Sequence, residues 1–291
     1  MNTFMLNNGI SMPSVGLGVF QSSPNDTVQA VTAALAMGYR LIDTAAAYQN
    51  EAQVGEGIRR SGVPRDAIFV ETKLWMSDYG YDGALHAFDR SMRKLGLETL
   101  DLYLLHWPMP TKFERTVQAW RAAERLLAEG RTRAIGVSNF SPKNLEDLIA
   151  RSEVIPAVNQ VELHPYFAQR ELRAVHQRLG IVTQAWSPIG GVARYAATAG
   201  KDPLKDPIVK DLASVYGKTP AQIVLRWHLE HGVAVVPKSV RAERIKENFA
   251  VFDFRLTPEA IAGIDLLDIG ARGGPPPETV DDQTYAIKVE D

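Results

Sequence analysis

Asp43, Lys73 and His106 each end a short apolar run, and Tyr48 follows Asp43 by a single turn of loop. Together they form a set that handles protons. A tyrosine hydroxyl has an ordinary pKa near 10, too high to release its proton readily at neutral pH. An ammonium beside it, here Lys73, favours the phenolate, and Asp43 would hold and neutralise that ammonium. Lowering the phenol by ~2 units corresponds to roughly 2.7 kcal/mol of differential interaction. His106 would orient a carbonyl oxygen by a hydrogen bond. A proton donor beside a carbonyl still needs a nucleophile. The chain has no cysteine and no convincing Ser–His pair, so hydride from a bound cofactor is the missing reactant. Taken singly, Asp43 reads equally well as a helix cap, Lys73 as a solvated charge and His106 as a core histidine beside Trp107. Their joint placement at one rim favours chemistry.

The elements that must position them repeat along the chain. Apolar runs at 15–19, 41–44, 68–73, 100–106, 134–139, 157–162, 181–187 and 233–239 are apolar nearly throughout, as parallel strands covered on both faces are. Helical patterns lie between them at 27–37, 51–60, 83–95, 116–129, 144–151, 170–179 and 221–230. Ser141-Pro142 and Thr219-Pro220-Ala221-Gln222 carry capping residues before a proline at the first helical position, the second with the glutamine of a capping box. This alternation predicts an α/β fold, a (β/α)₈ TIM barrel of one domain over 1–291; a doubly wound open sheet is the competing architecture. Asn7-Asn8-Gly9 between short apolar pieces predicts an N-terminal hairpin closing the barrel's bottom. Gly273-Gly274-Pro275-Pro276-Pro277 opens a short irregular C-terminal tail, from about 271, on the barrel surface.

Composition narrows the classes further. The 291 residues carry 32 Lys+Arg against 34 Asp+Glu, a formal charge of −2 that offers no basic field for a nucleic-acid backbone. Absent cysteines exclude disulfide scaffolds, thiolate chemistry and Cys-ligated metals. The first residues have neither a basic nor an apolar leader region, and no apolar run reaches the roughly 20 residues of a membrane span. The expectation is a cytoplasmic protein without a membrane segment. Gly16-Leu17-Gly18 lacks the third glycine of a dinucleotide fingerprint. His228 and His231 share a helix face but have no third ligand, so no metal is expected.

In barrels of this kind the chemistry sits at the C-terminal strand ends. Those ends also hold Asn139, Gln160, Glu162, Trp186, Ser187, Lys238 and Ser239. The blocks Gly38-Tyr39-Arg40-Leu41-Ile42-Asp43-Thr44-Ala45 with Tyr48, Glu51 and Gly55, then Ile68-Phe69-Val70-Glu71-Thr72-Lys73-Leu74-Trp75 and Asp101-Leu102-Tyr103-Leu104-Leu105-His106-Trp107-Pro108, resemble the signatures of the aldo-keto reductases. So do Ile135-Gly136-Val137-Ser138-Asn139-Phe140, Asn159-Gln160-Val161-Glu162-Leu163-His164-Pro165, Trp186-Ser187-Pro188 and Val236-Pro237-Lys238-Ser239-Val240-Arg241, in family order. Trp186-Ser187-Pro188 and the Arg-Trp-His-Leu stretch at 226–229 point to the bacterial 2,5-diketo-D-gluconate reductase-like members.

The resemblance implies NADPH-dependent reduction of aldehydes or ketones, with Asp43, Tyr48, Lys73 and His106 as the catalytic tetrad and Tyr48 as general acid. It further implies that Ser138, Asn139 and Gln160 bind the nicotinamide carboxamide and that Trp186 stacks on the ring. Ser187, Pro188 and Ile189 would lie under the pyrophosphate. Lys238, Ser239, Val240, Arg244, Glu247 and Asn248 would grip the adenosine end. Phe20, Trp75, His106 and Trp107 would line the substrate pocket. The partner implied is a small carbonyl compound, the chain a monomer. Gln49 follows Tyr48 where glycine is common, and members of the family diverge in the 190–205 loop and the tail. A regulatory subunit on the same fold and a metal-dependent barrel hydrolase are the competing classes.

Overall fold

The computed structural model describes residues 2–190 and 202–289; 191–201, most of the divergent 190–205 loop, lie outside the described residues. The chain opens with an antiparallel hairpin, β1 (Thr3–Met5) and β2 (Ser11–Pro13). Its turn closes on Gly9, at φ 84°, where glycine takes the left-handed conformation at no steric cost. Eight parallel strands follow in sequence order: β3 (Leu17–Gly18), β4 (Leu41–Asp43), β5 (Phe69–Leu74), β6 (Leu100–Leu105), β7 (Thr132–Ser138), β8 (Val158–Glu162), β9 (Val182–Trp186) and β10 (Ala234–Val235). The last strand returns to the first. Gly16 N donates to Val235 O at 2.8 Å, and Val15 and Gly18 bridge Val235 and Lys238. That closure decides the architecture: a (β/α)₈ barrel, not the open doubly wound sheet.

Helices α1 (Pro24–Ala36), α2 (Glu51–Ser61), α3 (Tyr81–Leu95), α4 (Phe113–Ala128), α5 (Pro142–Ile149), α6 (Arg170–Leu179) and α8 (Pro220–Glu230) match the periodic stretches, and α7 (Pro207–Tyr216), α9 (Ala242–Phe249) and α10 (Pro258–Asp265) add to them. The additions are short, and periodicity is weak evidence over two or three turns. Their starts were still readable in two cases, since Asp206 and Thr257 cap α7 and α10 through Ile208 N and Ala260 N. Ser141 and Thr219 cap as the sequence predicts, Thr219 in the expected box with Gln222 and Ser141 in a further box completed by Asn144. None of the described helices is long and apolar enough to cross a membrane.

Side chains alternate across each strand, so residues two apart share the barrel interior. The lower interior is apolar: Leu41, Phe69, Leu102, Leu104, Ala134, Val158 and Ala234 pack together, plugged from below by Leu6 and Met12 of the hairpin. One step higher on the same faces stand Asp43, Glu71, Gln160 and Gln184, with Gln160 hydrogen-bonded across the barrel to Asp43 and Glu71 and to Gln184 on the next strand. A polar layer therefore rests on an apolar floor, and the candidate site sits on that layer. Above the rim the tail crosses the mouth. It is tied down by Asp282 to Lys112 and Arg115 at 2.5 and 2.7 Å, and by Gln49 Nε2 to Lys288 O at 3.2 Å.

Candidate active site

β4 ends on Asp43, and a 3₁₀ turn over Ala46–Tyr48 carries the tyrosine back over the strand end. Gln49 closes that turn in the left-handed region, φ 56°, the conformation that explains why glycine suits this position. Lys73, on the next strand, is fully buried and spends all three ammonium hydrogens: on Asp43 Oδ1 at 2.5 Å, Thr44 O at 2.9 Å and the Tyr48 hydroxyl at 3.2 Å. His106, just past β6, is held through its backbone, which donates to Leu74 O at 3.1 Å and accepts from Asn139 Nδ2 at 3.0 Å. Its ring stands edge-on to Tyr48 with centroids 5.8 Å apart. The four residues read from the strand ends thus share one corner of the rim.

The electrostatics differ from expectation in one respect. Burial raises the Tyr48 phenol and Lys73 lowers it, but burial wins and the pKa is pushed up to about 12. Distance arguments alone credit the ammonium with a net lowering because they omit the desolvation of a buried phenolate. The phenol therefore keeps its proton at neutral pH. Asp43 raises Lys73 against the pull of burial, so the ammonium stays charged beneath the phenol. Burial first, and then Lys73, holds His106 well below the usual histidine range, so its ring is neutral.

Aromatic side chains wall this corner. Phe20, nearly half exposed, lies 4.9 Å from the Tyr48 ring, and Trp75 and Trp107 lie 5.0 and 6.4 Å from His106. Tyr79 fixes Trp107 by donating to its carbonyl at 2.7 Å.

The residues expected to meet a nicotinamide are also together, though several are already engaged. Asn139, at φ 65°, donates to His106 O and to Ser138 Oγ and accepts from Trp186 Nε1 at 2.9 Å, tying three strand ends to one side chain. Ser138 Oγ donates to Gln160 O at 2.8 Å, and the Gln160 amide nitrogen turns inward to Asp43, Glu71 and Gln184. Ser187 has left-handed backbone, φ 46°, and Pro188 O accepts from the buried His228 ring at 2.8 Å, which steadies the 187–189 segment. His231 instead meets Asp265, so the two histidines share no site.

The rim after β10 is different in character. Lys238, Arg241 and Arg244 are exposed and have no acidic partner among the described residues, while Ser239 Oγ accepts from Arg241 N at 3.2 Å. Val240 is exposed and Asn248 buried. Glu247 is drawn inward to Thr219 Oγ1 at 2.6 Å.

Three polar residues acquire partners that the strand-end reading does not assign. Glu71 and Gln184 sit two residues before Lys73 and Trp186, hence on the same inward faces; a charged or amide group inside an apolar run is the signal that marks them. Glu162 is a strand-end residue with a partner far along the chain. Its buried carboxylate accepts from Gly273 N at 2.6 Å and Gly274 N at 2.8 Å. This clasp lays the tail on the Trp186 indole, where a Cβ added to Gly274 would lie 2.6 Å from Trp186 Cη2. Among the described residues no cluster of His, Asp or Glu is arranged to hold a metal ion.

Known proteins share this fold. Residues 14–269 match the aldo/keto reductase family. The chain is 53% identical over 285 residues to morphine 6-dehydrogenase of Pseudomonas putida, covering 97% of this chain and 96% of that protein. It is 44% identical over 278 residues to glyoxal reductase of Bacillus subtilis, covering 95% and 96%. Its fold superposes with a TM-score of 0.89 on the crystal structure of a Gox0644 mutant in complex with NADPH, at 40% identity over 96% of this chain and 98% of that one. The chain belongs to the aldo/keto reductase family.

Proposed function

We propose that this protein reduces an aldehyde or ketone to the alcohol with NADPH, Tyr48 giving the proton to the carbonyl oxygen. The observation that carries the reading is the buried Lys73 ammonium, 2.5 Å from Asp43 and 3.2 Å from the Tyr48 hydroxyl, under a phenol that remains protonated. Tyr48 holds the proton, and Lys73 stabilises the phenolate left when it departs. Asp43 keeps Lys73 charged and in place. The neutral His106 ring, as its Nε2–H tautomer, donates to the same carbonyl oxygen and orients it. Phe20, Trp75 and Trp107 shed water from the carbonyl compound and supply its apolar contacts.

The residues present suit the cofactor. Lys238 and Arg244 are exposed cations free of acidic partners among the described residues, the chemistry a 2′-phosphate asks for. Ser239, Val240, Glu247 and Asn248 line the same rim for the adenosine. Trp186 offers its indole face to the nicotinamide beside Ser138, Asn139 and Gln160, with Ser187, Pro188 and Ile189 below the pyrophosphate. When bound, NADPH supplies the two electrons of the reduction. The NADPH complex of the Gox0644 mutant and the similarity to a glyoxal reductase support this reading.

The test is Tyr48→Phe. NADPH binding, followed by fluorescence titration, should stay within about twofold, while turnover on a carbonyl panel falls by 10²-fold or more. Wild-type turnover in this variant would refute the proton-donor assignment.

A further inference from the structure

Beneath the tetrad the barrel holds two carboxyl groups and one cation. Asp43 and Glu71 are direct cross-strand partners on β4 and β5, and both side chains turn into the interior. Both are buried, and a single Gln160 nitrogen reaches Asp43 Oδ1 at 2.9 Å and Glu71 Oε1 at 3.2 Å. Like charges placed opposite each other in a dry interior repel strongly, and two such carboxylates do not both ionise against one ammonium. The cationic and amide donors beside the pair are largely committed. Lys73 has spent its three protons on Asp43, Thr44 and Tyr48, and the two protons of Gln160 face three acceptors, Asp43, Glu71 and Gln184. Glu71 Oε2 is buried without a hydrogen-bond partner, and so is the Gln184 Nε2 donor of the same layer. Two facing carboxyl groups beside one ammonium therefore call for one proton between them.

We propose that Glu71 carries that proton in the folded protein and, as a neutral acid, hydrogen-bonds to Asp43, leaving Lys73–Asp43 as the charged pair beneath Tyr48. Glu71 is then a positioning residue: it fixes Asp43, which fixes Lys73 under the phenol. The proton belongs on Glu71 because Asp43 receives the ammonium directly, at 2.5 Å. The groups facing Glu71 from each packed element are Asp43 of β4, Lys73 of its own strand, Gln160 of β8 and Gln184 of β9, with Tyr48 above. Burial and the Asp43 charge both push the Glu71 carboxyl well above its ordinary range, against the pull of Lys73.

Two readouts test the proton without any turnover, and a third, which rests on the proposed reductase reading, tests the positioning. In the infrared spectrum of the whole protein at pH 7, a protonated-carboxyl C=O band should shift on deuterium exchange and vanish in Glu71→Gln. The second readout is thermal. A group protonated when folded and ionised when unfolded destabilises the fold progressively as pH rises above its unfolded value near 4.3. The Tm of Glu71→Gln minus that of the wild type should therefore climb between pH 5 and 8, by on the order of 3 °C per pH unit. For the third, Glu71→Leu should lower kcat about tenfold with KM for NADPH within about twofold, and Glu71→Gln should restore most of the loss. An absent band, or a Tm difference flat with pH, overturns the proton assignment. Equal kcat in Glu71→Leu and wild type overturns the positioning role. A band and slope as expected beside a wild-type protein that oxidises no NADPH with any carbonyl of the panel would sink the reductase reading and leave the Glu71 proton standing.

Discussion

The corner around Lys73 and the rim after β10 are opposite solutions to holding charge. At Lys73 the cation is fully buried, its three protons are spoken for, and its partners arrive from β4 and the turn that follows it. At the β10 rim Lys238, Arg241 and Arg244 stand in solvent with no acidic partner among the described residues. A buried ion pair must be complete before anything binds, because an uncompensated buried charge costs several kcal/mol. Exposed cations are screened by water and can wait for an anion at little cost. Preorganisation is therefore concentrated where we propose that the proton moves, and adaptability where we propose that phosphate is recognised.

The largest effect that would break this contrast is at Lys73. Lys73→Met leaves Asp43 buried without its cation and should cost about 3 kcal/mol of stability, read as a fall in Tm, together with nearly all turnover. A variant of unchanged Tm would show that Asp43 does not depend on the pair. At the other end, Arg244→Ala or Lys238→Ala should raise KM for NADPH roughly tenfold, the worth of one charge-assisted hydrogen bond, with kcat, Tm and the KM for NADH little changed. Added salt should weaken wild-type NADPH binding more than that of these variants. Equal losses with NADH and NADPH would remove the 2′-phosphate from the account.

A smaller effect separates the tail from both corners. Gly274→Ala puts a methyl 2.6 Å from Trp186 Cη2, so either the indole or the tail must give. A few-fold rise in KM for NADPH is the expected result, and unchanged kinetics would mean that the tail yields alone. Smallest at neutral pH is the acid response of two buried histidines. Burial pushes His176, between Asn159 and Thr183, and His228, on Pro188 O, down to about 3. The unfolded chain binds their protons near pH 6.5 and the folded chain does not, so stability falls as pH drops below 6.5. Each histidine contributes about 1.4 kcal/mol per unit, lost progressively towards pH 3. A His228→Asn variant should show a shallower fall of Tm between pH 6.5 and 4.5; an identical slope would mean that His228 is not held neutral.

Much of this was legible in the chain. Strand ends, caps and the order of motifs place Asp43, Tyr48, Lys73 and His106 on one rim, because a parallel barrel sends every strand's C-terminal end to the same face. The direction of the Tyr48 shift was not legible, since desolvation depends on how completely the phenol is covered. Nor was the Glu162 clasp on Gly273 and Gly274, residues more than a hundred positions away. A glycine–proline stretch announces irregular backbone and says nothing of where it lands.

The sequence by itself determined the alternation of strands and helices and the face that Asp43, Tyr48, Lys73 and His106 share, all properties of local pattern and period. Only the tertiary structure decided that β3 meets β10, that Glu71 and Asp43 compete for one ammonium, and that the tail lies against Trp186. Those are distances between segments far apart in the chain. They follow from the closure of the barrel and the burial it imposes, quantities no local pattern contains.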